Sequence, residues 1–409
     1  MIHSSDFKPR IFPIKGDTVD AEIDRAQAID PTVSLNREKV EEIGREDVVG
    51  YLKKSPTVGY RLTQLEYGNL EFWQKLVNSD TLGNVGQDEI SLEDFKTPYF
   101  DICAYLTDDD GTFRGTVWYP SLRTAGFSLS IGDPQAIIER GFDFVGEAAN
   151  IFQGNNKYFI HQKEEIESGD SGAITLSKTA VLDPDDSVYM LRVVRIRSGI
   201  TTELVKDTDY VETSNTVLTI SSPIVGDVYK LYYTSSSAPD TIFTLNDADA
   251  SALIGDSASI YLYIPASGKP TSSDYIYRLQ SATLDVRFDR EDIREIGNKD
   301  VVARGIRNST VTVTLGRILE RFTIEEVLAG QAADYGKIDV SKLTDRVALI
   351  VKFFSDDTKT TFKYGIMATG LTPTELRGGA GVNEYVRKDT SLEGENLIIS
   401  ADNSKLGSL

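Results

Sequence analysis

The sequence predicts a mainly β protein with two copies of one antiparallel β-sandwich or barrel module, each with a flanking α-helix, and a smaller β-sandwich domain between them. The first observation is a repeat, because Val33 to Leu62 returns as Val286 to Leu315 at a constant offset of 253 residues. The second is the alternation of apolar and polar residues over short segments, which is typical of strands that lie on a core. The third is a segment between the copies that has its own strand pattern and polar flanks.

The repeat rests on residues that coincide without a gap in the first part of each copy. They are Arg25/Arg278, Gln27/Gln280, Arg37/Arg290, Glu38/Glu291, Glu42/Glu295, Ile43/Ile296, Gly44/Gly297, Asp47/Asp300, Val48/Val301 and Val49/Val302. The match resumes further along at an offset of 248, where Ile102 falls on Ile350 and Arg140 falls on Lys388. The second copy has therefore lost five residues, and we expect the loss between Asn78 and Pro98 because polar loops tolerate deletions. We place the first module at 1–152, the inserted domain at 153–257 and the second module at 258–409.

Length, charge and cysteine content limit the class of protein. A chain of 409 residues is long enough for two or three domains with cores of their own. Its formal charge of −20 argues against affinity for nucleic acid, although solubility alone also explains scattered acids. Cys103 lies in an apolar run and has no second cysteine to pair with, which predicts a buried structural thiol. We see no membrane-spanning segment or signal peptide and expect a soluble protein made in a cytoplasm.

Both copies show the same order of elements. Each has a long strand, a charged arm with apolar residues, a returning strand, a short helix and a hairpin. In the first copy we assign an initial strand around Phe7 to Ile14, a strand at Thr57 to Tyr67, a helix at Asn69 to Val77, a hairpin turn at Asp110-Gly111, and further strands at Phe127 to Ser130 and Phe142 to Val145.

The segment between the copies predicts a small β-sandwich. Ser187 to Ser236 contains four or five short alternating strands separated by turn residues. Immunoglobulin-like domains have the same pattern of short strands and turns, although their Cys…Trp…Cys signature is absent from this segment.

The residues that carry catalysis in other proteins are scarce. His3 and His161 are the only histidines, and we interpret His161 as a surface residue. Asp108 to Gly111 lacks the remaining ligands of a calcium loop and is interpreted as a turn, whereas Arg377 to Gly381 is interpreted as a flexible loop. Glu38, Glu42 and Asp47 recur in the second copy, which favours contacts between modules over catalysis. The sequence therefore predicts no enzyme activity, no catalytic residue, no cofactor and no metal site.

Taken together, these features resemble the tail tube proteins of long-tailed bacteriophages. The resemblance is carried by Arg25/Gln27 and Arg278/Gln280, by the segments Glu42 to Gly44 and Glu295 to Gly297 with the long loops after them, and by the closing segments Phe142 to Glu147 and Ser391 to Glu395. It covers about 300 positions in both copies and leaves out the insert. Family members of this kind with two tube modules in one chain build their six-module ring from three chains.

The resemblance implies a structural virion protein. It implies a homotrimeric ring, stacking of rings into the tail tube, contacts with the tape measure, tail terminator and distal tail proteins, and passage of double-stranded DNA without adhesion. It places the protein in the virion tail after assembly in the host cytoplasm. Two alternatives remain, namely another tail, baseplate or secretion-tube component, and a carbohydrate-binding or hydrolytic β-sandwich protein. Apart from the resemblance, a duplicated module with open sheet edges and apolar arms has surfaces that must be covered, which favours head-to-tail assembly into rings.

Two sets of residues are the candidate contact and channel positions. The arms are expected to contact the neighbouring ring through Val48, Val49, Tyr51, Leu52, Val301 and Val302. The face opposite Val33 and Val286 is expected to line the channel with Ser34, Asn36, Glu38, Arg287, Asp289 and Glu291.

Overall fold

The structure is a computed structural model of the chain. It describes residues 7–13, 21–23, 25–40, 50–54, 56–68, 70–77, 89–108, 110, 112–153, 157–167, 171–183, 185, 187–198, 200–238, 252–265, 275–276, 278–294, 301–319, 322–329, 338, 343, 346–356, 358–380 and 385–406. These residues form a mainly β protein with antiparallel strand pairs and two short α-helices, as the alternating patterns predict.

The first module, the insert and the second module each contain their own run of strands. The first module has β1 Phe7–Pro13, β2 Ala21–Glu22, β3 Ala26–Ser34, β4 Arg37–Val40, β5 Gly50–Lys53, β6 Thr57–Leu65, α1 Glu71–Val77, β7 Glu89–Ser91, β8 Phe100–Thr107, β9 Phe113–Ile131, β10 Glu139–Gly146 and β11 Asn150–Gln153. The insert has β12 Phe159–Ile166, β13 Ala173–Thr175, β14 Met190–Arg197, β15 Ile200–Glu203, β16 Tyr210–Glu212, β17 Val217–Ile220 and β18 Val228–Ser235. The second module has β19 Ala258–Tyr263, β20 Leu279–Arg294, β21 Val301–Ile318, α2 Thr323–Leu328, β22 Val347–Phe354, β23 Phe362–Gly379, β24 Arg387–Gly394 and β25 Asn396–Ser400.

One continuous sheet joins the two modules. Eight of its strands follow one another in the order β3, β6, β10, β9, β20, β21, β24 and β23, so each module contributes four strands in the same order. We call this part of the sheet the eight-strand row. Beyond it, β9 also pairs with β8 and β11, whereas β23 also pairs with β22 and β25. Long strands such as β9 and β23 therefore belong to the row at one end and to an outer sheet at the other.

The strand pairing corrects the second part of the sequence alignment. Ile102 pairs with Tyr119 in the first module, and Leu349 pairs with Ala368 at the same point of the second. Ile102 therefore corresponds to Leu349 and not to Ile350, an offset of 247. The one-residue error matters because neighbouring strand residues point to opposite faces. A bulge supports the corrected register, since Ser121 and Gly370 follow these pairs and both have positive φ.

The core of the two modules is shared. One apolar cluster contains Trp73 and Phe142 of the first module together with Val351, Tyr364 and Ile366 of the second. A second cluster lies between the first module and the insert, and a third lies between the four-stranded and three-stranded sheets of the insert. No helix among the residues described above is long and apolar enough to cross a membrane.

Several sequence expectations are confirmed and others are wrong. The helices are present, β8 and β9 form the predicted hairpin, and Cys103 is buried. Phe127 to Ser130 is the end of the 19-residue strand β9 and not a separate strand, because pairing with β10 and β20 extends it. Arg377 to Gly379 is not a loop, since it pairs with β24. His161 is not a surface residue, because its ring stacks on Tyr233 and its Nε2 lies 2.9 Å from the Ser237 carbonyl oxygen.

Candidate assembly surface

The junction between the modules is an antiparallel pairing of β9 with β20. It runs from Ala282 opposite Ile131 to Arg287 opposite Gly126. Apolar side chains point to the core on one side, where Val286 and Phe288 are 0% and 4% exposed. Phe288 contacts the rings of Phe95 and Phe127 of the first module. Main-chain pairing and ring contacts therefore hold the modules together as consecutive strands of one sheet.

Arg290 strengthens this junction from the second module. Its Nε donates to the Thr124 carbonyl oxygen at 2.5 Å, and its Nη2 donates to the Phe95 carbonyl oxygen at 3.0 Å. The repeated pair Arg37/Arg290 in the sequence therefore includes a residue that fastens one module to the next. Its equivalent, Arg37, is exposed at the far end of the first module.

Two further contacts cross the junction. Strand β7 of the first module pairs with β25 of the second, with Ile90 opposite Ile399. In the core, the Tyr364 hydroxyl of the second module donates to Glu66 Oε2 at 2.8 Å. The same oxygen accepts from Arg140 Nη1 at 3.2 Å, and both members of this ion pair are fully buried. A buried carboxylate needs such donors because burial removes its hydration.

Among the residues that the structure describes, no further strand pairs with either end of the eight-strand row. Strand β3 ends the row on the first module, and the second half of β23 ends it on the second. Val33 and Leu35 are 44% and 60% exposed, although the junction covers the residues that occupy the same places in the second module, Val286 and Phe288. At the other end Leu376 on β23 is half-buried, whereas its counterpart Phe127 at the junction is 1% exposed. Each free end therefore leaves at least partly exposed apolar positions that the internal junction buries.

The row has one polar face, which we call the polar face throughout. Strand register places nine exposed or half-buried acids on it, namely Asp30, Glu139, Asp143, Asp285, Asp289, Glu291, Glu375, Asp389 and Glu393. The same registers place five arginines there, Arg61, Arg123, Arg287, Arg377 and Arg387. The described part of this face is therefore net acidic, and a groove lined by Arg61, Asp143 and Asp285 runs along the junction.

The predicted channel residues are all exposed. Arg287 and Asp289 lie on the polar face together with Glu291, whereas Ser34 and Asn36 lie at the free end of the first module. Arg287 lies 3.2 Å from Asp285, whose hydrogen bond and charge raise the pKa of Arg287.

Glu38 belongs to the arm, because β4 pairs with β5 and places Glu38 opposite Leu52. Lys54 lies 2.5 Å from Glu38, and its hydrogen bond and charge lower the pKa of Glu38. Substitutions of Glu38 therefore also change this ion pair.

The predicted arm contacts are only partly described. Tyr51 and Leu52 lie on β5 and are 58% and 55% exposed. Val48 and Val49 lie outside the described residues. Val301 and Val302 begin strand β21, where their backbone continues the long hairpin with β20. The first module therefore presents exposed apolar residues on a two-stranded arm.

The insert is anchored to the outer sheet of the first module. Arg192 of β14 forms a buried ion pair with Asp101 of β8 and lies 4.6 Å from the Tyr232 ring. Burial opposes the charge of Arg192, but its interactions with Asp101, Tyr232 and Glu203 together outweigh burial, and the pKa of Arg192 is raised. Asp101 also accepts a hydrogen bond from Trp118 Nε1 at 3.1 Å. The insert therefore covers a face that belongs neither to the polar face nor to the free ends.

Sequence analysis missed the residues that make these contacts. Phe95, Phe127 and Tyr364 have no unusual spacing, and nothing in the sequence signals that Asp101 and Arg192 meet. The sequence repeat identifies the equivalent residues Arg37 and Arg290, but it does not predict that Arg290 binds carbonyl oxygens of the first module. Among the described residues, no group of three His, Cys, Asp or Glu side chains is placed to hold a metal ion.

Comparisons with known proteins find little. No family model matches the chain. No curated protein matches it. Among solved structures, one chain of the cryo-EM structure of the anti-feeding prophage baseplate, 6-fold symmetrised, aligns with 36% of this chain and 92% of its own length. The identity is 11% and the TM-score is 0.26, a likeness too low to carry an argument.

Proposed function

We propose that the chain is a structural subunit of a phage-type tail, which forms rings of three chains that stack into a tube for DNA. The observation that carries the proposal is the eight-strand row, in which two alike modules are joined edge to edge while equivalent edges remain free at both ends. Contacts of one kind repeated head to tail close into a ring when the rotation between modules allows it. The resemblance to tail tube proteins supplies the number of six modules, hence three chains.

The polar face supports a channel lining. If the row closes on itself, one face lies inside and the other packs against the shared core. The polar face is hydrophilic and net acidic, so a DNA duplex, which carries about one negative charge per 1.7 Å, finds no basic surface that would retain it. The function is then conduction of DNA by a passive wall, with no catalytic step.

The arms and the insert have separate places in this proposal. The arm β4–β5, with Tyr51 and Leu52 exposed, is suited to an apolar contact with the next ring. The insert lies on the outer sheet of the first module, and in a closed row it projects from the outside of the tube. The tape measure, tail terminator and distal tail proteins are the expected partners at the tube's two ends.

The test is electron microscopy of the purified full-length protein, combined with native mass spectrometry. Hollow tubes, or rings whose mass is that of three chains, are the expected result. A ring of six chains contradicts the stoichiometry. A stable monomer at high concentration that binds sugars contradicts the function and supports a carbohydrate-binding protein. A single ring that never stacks favours another tail or baseplate component.

A further inference from the structure

We infer that the free edge of β3 in one chain pairs with the free end of β23 in the next chain, in a register that the internal junction specifies. This inference rests on the proposed function, because it takes a second copy of the chain as the partner. It adds the residues that meet and the residues at which the pairing ends.

The register follows from two equivalences within the chain. Strand β3 corresponds to β20 at an offset of 253, since Ile29 pairs with Leu62 as Ala282 pairs with Leu315. The end of β23 corresponds to the end of β9 at an offset of 249, because Gly379 lies opposite Arg387 as Ser130 lies opposite Glu139. A bulge confirms the second offset, since each strand skips one residue, Ala125 or Thr374.

Transferring the β9–β20 pairing to the free edges gives five residue pairs between chains. They are Ile29 with Ala380, Asp30 with Gly379, Pro31 with Gly378, Thr32 with Arg377, and Val33 with Leu376. The pair of Val33 with Leu376 covers two apolar side chains, as Val286 and Phe127 cover each other at the internal junction. Asp30 and Arg377 become diagonal neighbours of opposite charge on the polar face, which stabilises the pairing.

The pairing between chains ends one residue earlier than the internal one. At the internal junction the last pair includes Gly126, where an ideal Cβ would lie 2.6 Å from the Val286 carbonyl oxygen. The corresponding residue on β23 is Glu375, which cannot approach its neighbour as closely. The strands therefore separate after Val33 and Leu376.

The inference is tested by disulfide formation in assembled protein. In a Cys103→Ala background, Thr32→Cys with Arg377→Cys is expected to give covalent species of up to three chains on non-reducing gels. The matched control is Asp285→Cys with Ser128→Cys, the equivalent pair within one chain, which is expected to oxidise without joining chains. Mixing the two single variants Thr32→Cys and Arg377→Cys is expected to give covalent dimers only.

A shifted pair tests the register itself. Thr32→Cys with Glu375→Cys is offset by two residues, and its yield of joined chains is expected to be about tenfold lower. If the shifted pair joins chains more efficiently, or if rings form while only the internal control oxidises, the register is wrong although the proposed function stands. If the internal control oxidises but no variant forms rings or joined chains, the proposed function fails as well.

Charging the free edge gives an independent readout. Val33→Asp is expected to leave thermal unfolding of the monomer unchanged, because Val33 is already exposed, but to raise the concentration needed for ring formation about tenfold. Ile200→Asp is the matched control, since Ile200 is 69% exposed on the insert and away from both edges. Equal effects of the two variants on assembly overturn the inference.

Discussion

At the scale of single residues, the two modules keep a basic group at one position, fully buried in the first and half-buried in the second, but change its acidic partner. Arg140 and Lys388 occupy the same place on β10 and β24. Arg140 pairs with Glu66, whereas Lys388 lies 2.6 Å from Glu325 on α2. Sequence comparison finds Arg140 and Lys388 because they occupy the same position and differ only by a conservative change. It does not find the acids, because equivalent partners are supplied from different elements and only the folded chain brings them together.

Glu66 has a second task that explains its position. Its carboxylate receives the Tyr364 hydroxyl of the second module as well as Arg140, so it joins the two modules through one buried network. We predict that Tyr364→Phe lowers the free energy of unfolding by about 1.5 to 3 kcal/mol, the usual contribution of a hydrogen bond to a charged group. Urea unfolding followed by tryptophan fluorescence measures the change. Tyr385→Phe is the control, since Tyr385 is 75% exposed, and an equal effect of both variants contradicts the network.

At the scale of elements, the equivalent long hairpins differ in their continuity. Strand β20 runs unbroken from Leu279 to Arg294, whereas its equivalent in the first module is divided into β3 and β4. The sequence predicts both strands because their alternating patterns are local. The alternation also changes parity at Val40 and Ile293, which predicts a bulge or an end of pairing near Arg37 to Lys39. The structure has a strand break there in the first module and a bulge between Asp289 and Arg290 in the second, and the sequence does not predict which of the two occurs in which module. Pro31 on the free strand takes the place of Leu284 and lacks an N–H group, so its pairing with Gly378 of the next chain has one donor fewer than the pairing of Leu284 with Leu129.

The arm β4–β5 carries the prediction that belongs to this scale. Tyr51→Asp with Leu52→Asp is expected to leave folding and ring formation intact, because both side chains are exposed in the single chain. Stacking of rings is expected to fall at least roughly tenfold, since a charge in the dry centre of a contact is costly. Tube length in electron micrographs measures stacking, with Ile200→Asp as the control. Tubes of normal length formed by the double variant rule out the arm as the stacking contact.

At the scale of the whole molecule, the sequence predicts the duplication of the module but not the surfaces through which the two modules and the insert contact one another. The duplication is visible because the Arg37 and Arg290 segments align without a gap. The sharing of one core by Trp73 and Tyr364 is not visible, since the contact is between residues almost 300 positions apart. The same holds for the insert, whose polar flanks suggested independence although Arg192 is buried against Asp101. Removing the insert would take Arg192 away from Asp101 and would also expose the apolar face that the insert covers, so its deletion alone is a poor test of its role.

The acidic character of the polar face is a property of the whole molecule, because strands from both modules contribute to it. We predict that Asp289→Lys with Glu291→Lys leaves assembly intact, since both side chains are exposed on this face. Tubes of the variant are expected to retain short double-stranded DNA, and retention is expected to fall steeply as salt is added, because bound duplex releases counterions.

Nuclease protection distinguishes DNA inside the channel from DNA on the outer wall. The variant is expected to protect the duplex, whereas wild-type tubes are expected to bind none. Asp185→Lys with Glu203→Lys makes the same change of charge at exposed positions of the insert, so any DNA it binds remains open to nuclease. Protection by the insert variant, or none by the channel variant at low salt, places the polar face outside the channel. The proposal that an acidic wall conducts DNA without holding it requires retention to depend on the charge of the polar face. Retention by the Asp289/Glu291 variant and not by the Asp185/Glu203 variant would meet this requirement.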